Sequence, residues 1–221
     1  MANVYTPRLT SARLAVLVLT AAAILKVAGC SANRGGPAAA DYYYLNPHKD
    51  LTAAGRVAVV ELDNDSMYPH ISTEMTEALF QSVQKRQLFG ISIVRQNDPA
   101  YRRLQLASGP PYSLEQLASM RQELGCNAIL VGTVTTYQPY PHMSIGLELR
   151  LLDLADGQLL WALDQIWDTT DKATEHRITS YYNAQMRSST AGLREQLVSV
   201  SSLRFVKFVA YEIAETLQSQ Q

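Results

Sequence analysis

Four consecutive apolar residues, Val57-Ala58-Val59-Val60, constrain the fold more than any other stretch of the chain. A run without polar alternation suits a strand covered on both faces, and such strands belong to sheets with helices on either side. The residues that follow fit that frame. Asp63-Asn64-Asp65-Ser66 ends the run, and Ser72 offers an N-cap with Glu74 in the first turn. Ile71, Met75, Leu79 and Val83 then recur at four-residue spacing along one helical stripe. Gly90 to Arg95 supplies a second strand, and Gln96 to Tyr112 reads as a charged, proline-bearing loop. The second helix has local signals at both ends: Ser113 with Gln116 makes a capping box, Tyr112 and Leu117 a hydrophobic staple, and Gly125 suits the C′ position. Its predicted buried stripe is Leu114, Leu117, Met120 and Leu124. A third strand, Ala128 to Tyr137, runs until Pro139 and Pro141 end it.

A hairpin comes next. Ile145, Leu147, Leu149 and Leu151 alternate with Gly146, Glu148 and Arg150, and Ala155-Asp156-Gly157 turns the chain into Gln158 to Trp167. Trp161 and Trp167 lie an even number of residues apart, so one face of the strand carries both, and a core role is expected. Two helices close the chain, near Asp171 to Arg187 and Ser201 to Leu217, the second with Leu203, Val206, Val209, Ile213 and Leu217 on one face. The expected fold is α/β: a three-layer-like βαβαβ core with parallel strands, an added antiparallel β-hairpin and two C-terminal helices. Tyr42-Tyr43-Tyr44 precedes the first strand as an edge strand or recognition segment, with burial against the core the expected outcome.

The N-terminus is of another kind. Arg8 and Arg13 lead a segment without acids, a largely apolar run follows from Leu14 to Leu25, and Val27-Ala28-Gly29-Cys30 closes it in the pattern of a bacterial lipobox. The run is too short for a spanning helix, which needs about 20 residues. Cys30 is therefore the expected lipid attachment site, with three acyl chains. Since each buried CH₂ contributes about 0.8 kcal/mol, several chains hold a protein on a membrane almost permanently. Ser31 in place of an Asp after the cysteine favours the outer membrane over the inner. The expected organisation is a signal peptide over 1–29, a flexible tether over 30–41, small and polar with nothing to bury, and a single domain over 42–221.

Removing 1–29 leaves 192 residues, enough for one real core. It also removes three of the 19 basic side chains, leaving 16 against 20 acidic ones and no nucleic-acid footprint. With Cys30 acylated, Cys126 has no partner for an intramolecular disulfide, and between Gly125 and the apolar run Ala128 to Val131 it reads as a buried, inert thiol. Gly-rich phosphate loops, His-Glu-x-x-His, Cys-x-x-Cys and Gly-x-Ser-x-Gly do not occur. Asp63-Asn64-Asp65 imitates the start of a calcium loop without the glycine at its sixth place. No enzyme activity, cofactor or metal is expected.

Tyr-Pro-His occurs twice, at Tyr68-Pro69-His70 and at Tyr140-Pro141-His142. In a parallel βαβ arrangement the chain leaves the first and third strands at the same carboxyl edge, so the two turns can face each other. Each sets an aromatic ring on a stiff turn beside an imidazole, a combination suited to binding a partner. Tyr68, His70, Tyr140 and His142 are the candidate partner-binding residues; chance recurrence in proline turns is the alternative.

Four segments carry a family resemblance: Gly55-Arg56-Val57-Ala58-Val59, Asn127-Ala128-Ile129-Leu130-Val131-Gly132-Thr133-Val134, Leu149-Arg150-Leu151-Leu152-Asp153-Leu154 and Asp156-Gly157-Gln158-Leu159-Leu160-Trp161. Between Gly55 and Trp167 the chain resembles the core of CsgG-type lipoproteins, a group that includes activators of penicillin-binding proteins. Pore-forming members insert long amphipathic hairpins, and a membrane strand needs about 9 to 11 residues. This chain has no insertion of that size. The resemblance implies a lipid-anchored binding or scaffold lipoprotein on the periplasmic side of the outer membrane. It would support an envelope assembly, either as a regulator of cell-wall synthesis or as a secretion accessory, with an envelope protein or further copies of itself as partner. A hydrolase acting on envelope polymers is the competing reading.

Overall fold

The computed structural model describes residues 43–186 and 201–217. Its strands are β1 (Tyr43–Leu45), β2 (Arg56–Val60), β3 (Asp63–Asn64), β4 (Gly90–Val94), β5 (Ala128–Gln138), β6 (Ser144–Asp153) and β7 (Leu159–Asp168). The helices are α1 (Ile71–Arg86), α2 (Pro99–Arg103), α3 (Leu114–Leu124), α4 (Lys172–Met186) and α5 (Ser202–Thr216). The strands form one sheet in the order β1-β7-β6-β5-β2-β4, with β3 pairing beside β5. β2 pairs parallel with both β4 and β5, while β5, β6, β7 and β1 run antiparallel. The fold is α/β, as the apolar run and its capped helices predict.

The two faces of the sheet bury separate clusters. On one, α1 and α5 cover Val57, Val59, Leu130, Leu147 and Leu149 together with Trp161 and Trp167, and α4 adds Ile178 and Tyr181. On the other, Ala58, Val60, Ile129 and Val131 pack against Tyr101 from α2 and Leu117 and Met120 from α3. Alternation along β2 thus feeds both clusters, which is why its sequence shows no polar face. α2 and α3 lie over β4, β2 and β5, and their cluster also takes in Leu152 of β6, with Leu159 of β7 packed against it. Beyond them, on the same face, β6 and β7 present Arg150, Asp164 and Ile166 to solvent.

Polar groups fix how the helices sit. The indoles of Trp161 and Trp167 donate to Thr216 Oγ1 at 3.2 Å and to Glu212 Oε2 at 2.7 Å. Arg177 Nε of α4 donates to the other oxygen of Glu212 at 2.9 Å. The buried carboxylate is thereby matched by a charge and a neutral donor.

Local signals hold at α3, where the Ser113–Gln116 capping box is present in both directions and Gly125 adopts the left-handed conformation at the C-cap. Elsewhere tertiary contacts override them. Ser72 does not cap α1: the helix starts at Ile71, and Ser72 is buried within it, donating to the carbonyl of Leu62. Thr76 Oγ1 accepts from Leu62 N at 3.0 Å, so both hydroxyls bind the chain leaving β2 to the helix. Leu114 and Leu203, expected on buried stripes, are 69% and 48% exposed. Both sit in the first turn of their helix, short of the sheet. Gln96 to Tyr112 is not a plain loop, because Asp98-Pro99 opens α2 with proline in its first turn. Tyr43 and Tyr44 are exposed rather than buried, since β1 is an edge strand whose Leu45 packs against the core. Cys126 is buried, and burial raises its thiol pKa. Cys30 and the segments 1–29 and 30–41 lie outside the described residues, as does Tyr42.

Candidate functional site

The carboxyl end of β5 gathers the first of two candidate surfaces. The chain leaving β2 runs beside β5 as β3, and Asp65 N donates to Val134 O at 2.9 Å. Asn64 then shapes the loop, its Oδ1 accepting from Ser66 N and its Nδ2 donating to Tyr68 O, both at 2.9 Å. Tyr68 is delivered edge-on to Tyr137, with ring centroids 5.4 Å apart and planes at 88°. Tyr137 lies three residues before Tyr140, and its hydroxyl is hydrogen-bonded to Ser202 at the start of α5.

Both tripeptides therefore lie at one end of β5, and Tyr137 is what joins the first of them to the strand. Tyr68 keeps 42% of its surface in solvent and Tyr140 81%, while Met67, beside Tyr68, is 92% exposed. His70 is the N-cap residue of α1 and makes no side-chain cap there; it is exposed, as is His142. His142 stands near Asp168, whose carboxyl is held below the usual range by hydrogen bonds from Thr170, with the imidazole adding to the effect. Sequence reasoning missed Met67 and Tyr137, for which no local motif gives a signal.

The second surface is a cleft on the α2–α3 face, at the carboxyl end of β2. One part has a volume of about 220 Å³ and is lined by Glu61, Asp63, Tyr101, Tyr112, Glu148 and Arg150, among others. An adjoining part of about 350 Å³ shares Pro110, Tyr112 and Arg150 and is otherwise apolar, with Pro111, Leu117, Leu152 and Leu159. Burial raises the pKa of Asp63, helped by the charge of Asp65 and opposed by a hydrogen bond from the Tyr101 hydroxyl. Burial also pushes Tyr112 up to about 12, with Asp63 and Tyr101 contributing. The Tyr112 hydroxyl is shielded from solvent and has no hydrogen-bond partner among the described residues. A concave site with convergent polar groups and shifted pKa values is where binding or chemistry is ordinarily sought. Among the described residues, no three or more His, Cys, Asp or Glu side chains are grouped to hold a metal ion. Nor is any described helix long and apolar enough to cross a membrane.

No family model matches the chain, and no curated protein matches it by sequence. Among solved structures it is similar to the PelC dodecamer from Paraburkholderia phytofirmans, at 12% identity and a TM-score of 0.41, over 60% of this chain and 86% of that one. It is also similar to lipoprotein GNA1162 from Neisseria meningitidis, at 16% identity and a TM-score of 0.40, over 62% and 99%. A third similarity is to the LpoB C-terminal domain from Salmonella enterica, at 18% identity and a TM-score of 0.38, over 51% and 82%. Likeness at this level decides neither family nor function, and the CsgG-type resemblance stays a reading of the sequence.

Proposed function

We propose that the chain is a non-enzymatic lipoprotein, anchored through Cys30 to the periplasmic side of the outer membrane, that binds or scaffolds an envelope assembly. A signal peptide over 1–29 and a tether over 30–41 would deliver one folded domain, 42–221, to that place. The observation that carries the reading is the exposed end of β5, where Tyr68 packs edge-on against the half-buried ring of Tyr137 and where Met67 and Tyr140, neighbours of these two along the chain, are largely exposed. Aromatic side chains held on tight turns offer contact area at little conformational cost, and clustered exposed apolar groups mark interaction sites. The partner is an envelope protein, with regulation of cell-wall synthesis or support of secretion as its setting.

The test is crosslinking in cells that produce the full-length chain, followed by identification of the attached proteins. A defined envelope partner is expected, and alanine at Tyr68, His70, Tyr140 and His142 together should abolish its recovery while circular dichroism stays unchanged. Undiminished recovery from the quadruple variant ends the proposal for this surface.

A further inference from the structure

The cleft beside β2 is separate from the Tyr68–Tyr140 end, and it has a chemistry of its own. Three carboxylates, Glu61, Asp63 and Glu148, line its inner part against one guanidinium, Arg150. Arg150 is already committed, since its NH2 group pairs with Glu148 Oε1. Glu61 accepts from Thr73 Oγ1 at 2.5 Å and from Gln96 N at 2.9 Å, which fixes the carboxylate without neutralising it. Asp63 takes a hydrogen bond from Tyr101 and has Asp65 as a like-charged neighbour. The walls include two tyrosines, one with a hydroxyl that is sheltered and unsatisfied. Buried polar groups are seldom left without partners, so an orphan here points to something that occupies the space. The adjoining part is mostly apolar, lined by Leu117, Leu152 and Leu159 with Pro110 and Pro111.

We propose that this cleft binds an alkylammonium group, the charged head lying among Asp63, Glu61 and Glu148 and its apolar stem along Leu117, Leu152 and Leu159. An ammonium supplies donors only, which is what carboxylates and a phenol oxygen accept, and tyrosine faces attract cations. Arg150, held by Glu148, closes the side of the cleft and disfavours a second cation there. An anion of the same length meets three carboxylates and is excluded. The direction of the Asp63 shift agrees: desolvation, with Asp65 adding, holds its carboxyl above the ordinary range, and a cation beside it would stabilise the carboxylate and draw it back down.

The experiment uses the full-length chain in detergent, titrated with hexylammonium, hexanol and hexanoate and followed by calorimetry and by NMR of the tyrosine rings. Hexylammonium should bind saturably, with a dissociation constant on the order of 1 mM for so small a ligand. Hexanol, with the same stem and no charge, and hexanoate should bind at least about tenfold more weakly, the loss expected of a charge-assisted contact. Nα-acetyllysine amide separates two sources of the group: binding by it shows that the cleft accepts an ammonium carried on a polypeptide, and binding by hexylammonium alone assigns a free amine. Asp63→Asn should weaken hexylammonium by about tenfold or more, and Tyr112→Phe by a smaller factor. Should Asp63→Asn fail to fold, Glu61→Gln provides the same charge removal at the neighbouring carboxylate. Equal binding of hexanoate, undiminished binding by the folded carboxamide variant, or no saturable binding by either ammonium overturns the proposal. None of these outcomes depends on the partner-binding reading of the β5 end.

Discussion

Glu212 concentrates more of the molecule's electrostatic risk than any exposed pair. It is 4% exposed, and its two oxygens accept from Trp167 Nε1 and from Arg177 Nε. Removing one partner of a buried pair strands the other, at a cost of about 3–5 kcal/mol, whereas exposed pairs contribute about 0–1. Glu212→Ala is therefore expected to lose about 3–5 kcal/mol in urea denaturation. Adding Arg177→Met to it should recover part of that loss, since no unpaired guanidinium then remains. A double-mutant cycle over the two positions should return a coupling above about 1 kcal/mol. If the two losses simply add, the ion pair does not hold α4 against α5. The same scale explains Gly132, where an added Cβ would stand 2.3 Å from Glu148 O and 2.6 Å from Leu149 Cδ2. Contact with backbone cannot be relieved by a rotamer change, so the glycine lets β5 and β6 approach under the cleft.

At the scale of elements, one part-buried surface cluster ties β1 to the hairpin. Lys49 Nζ, just after β1, donates to Asp153 Oδ2 and Asp156 Oδ2, each at 2.6 Å, across the turn between β6 and β7. The hydrogen bond from Lys49 is the main reason the Asp156 carboxyl sits below its usual range, and the two aspartates hold the Lys49 ammonium above its own. The depressed carboxylate contributes stability present above its unfolded pKa of about 3.8 and lost as pH falls through the lower folded value. The raised amine contributes stability present below about 10.5 and lost as pH rises through its folded value. Lys49→Met should accordingly cost at most about 1 kcal/mol near neutrality, because the cluster lies at the surface where water screens it. The difference from the parent should shrink below about pH 4 and above about pH 10.5. A difference that is flat over the whole range removes the ion cluster as its cause.

This is also the scale at which the sequence is most legible. α3 is readable because its capping box and C-cap glycine act within a few residues of themselves. Ser72 misleads because its hydroxyl serves Leu62 in the link between β2 and β3, which no local pattern records. Periodicity identifies the apolar stripe of α5, but it does not say where the sheet beneath it stops, so Leu203 is misjudged while Val206 and Val209 are not. The two Tyr-Pro-His turns are visible as a repeat, and strand order alone suffices to expect them at one end. The cleft is not visible in that way. Asp63, Tyr101, Tyr112 and Glu148 come from four separate stretches, and each is an ordinary residue in its own stretch; only folding the long segment after β4 over β5 and β6 makes a site of them.

For the whole molecule, anchorage and folding are expected to be independent. Cys30→Ser should move the protein from the membrane fraction to the soluble fraction, because the acyl chains supply the affinity for the bilayer. The secondary structure should remain, since the described core draws on residues from Leu51 to Leu217. Mass spectrometry of the parent should show a cleaved and acylated cysteine at position 30, and an intact N-terminus would contradict the anchoring proposal. Size measurement of the full-length chain in detergent distinguishes a monomer from a ring.

The position of β1 has a mechanical meaning. Among the described residues it pairs with β7 over Tyr43, Tyr44 and Leu45, at the rim of the sheet, and Asn46 adds bonds to the Leu159 and Leu160 carbonyls at 2.9 Å. If the chain is anchored through Cys30 as proposed, load arriving from the N-terminal side would reach this short seam before any other described strand. On the proposed anchoring, tension would be expected to part this seam first, lengthening the link to the membrane by several residues while the tryptophan-lined interior stays shut.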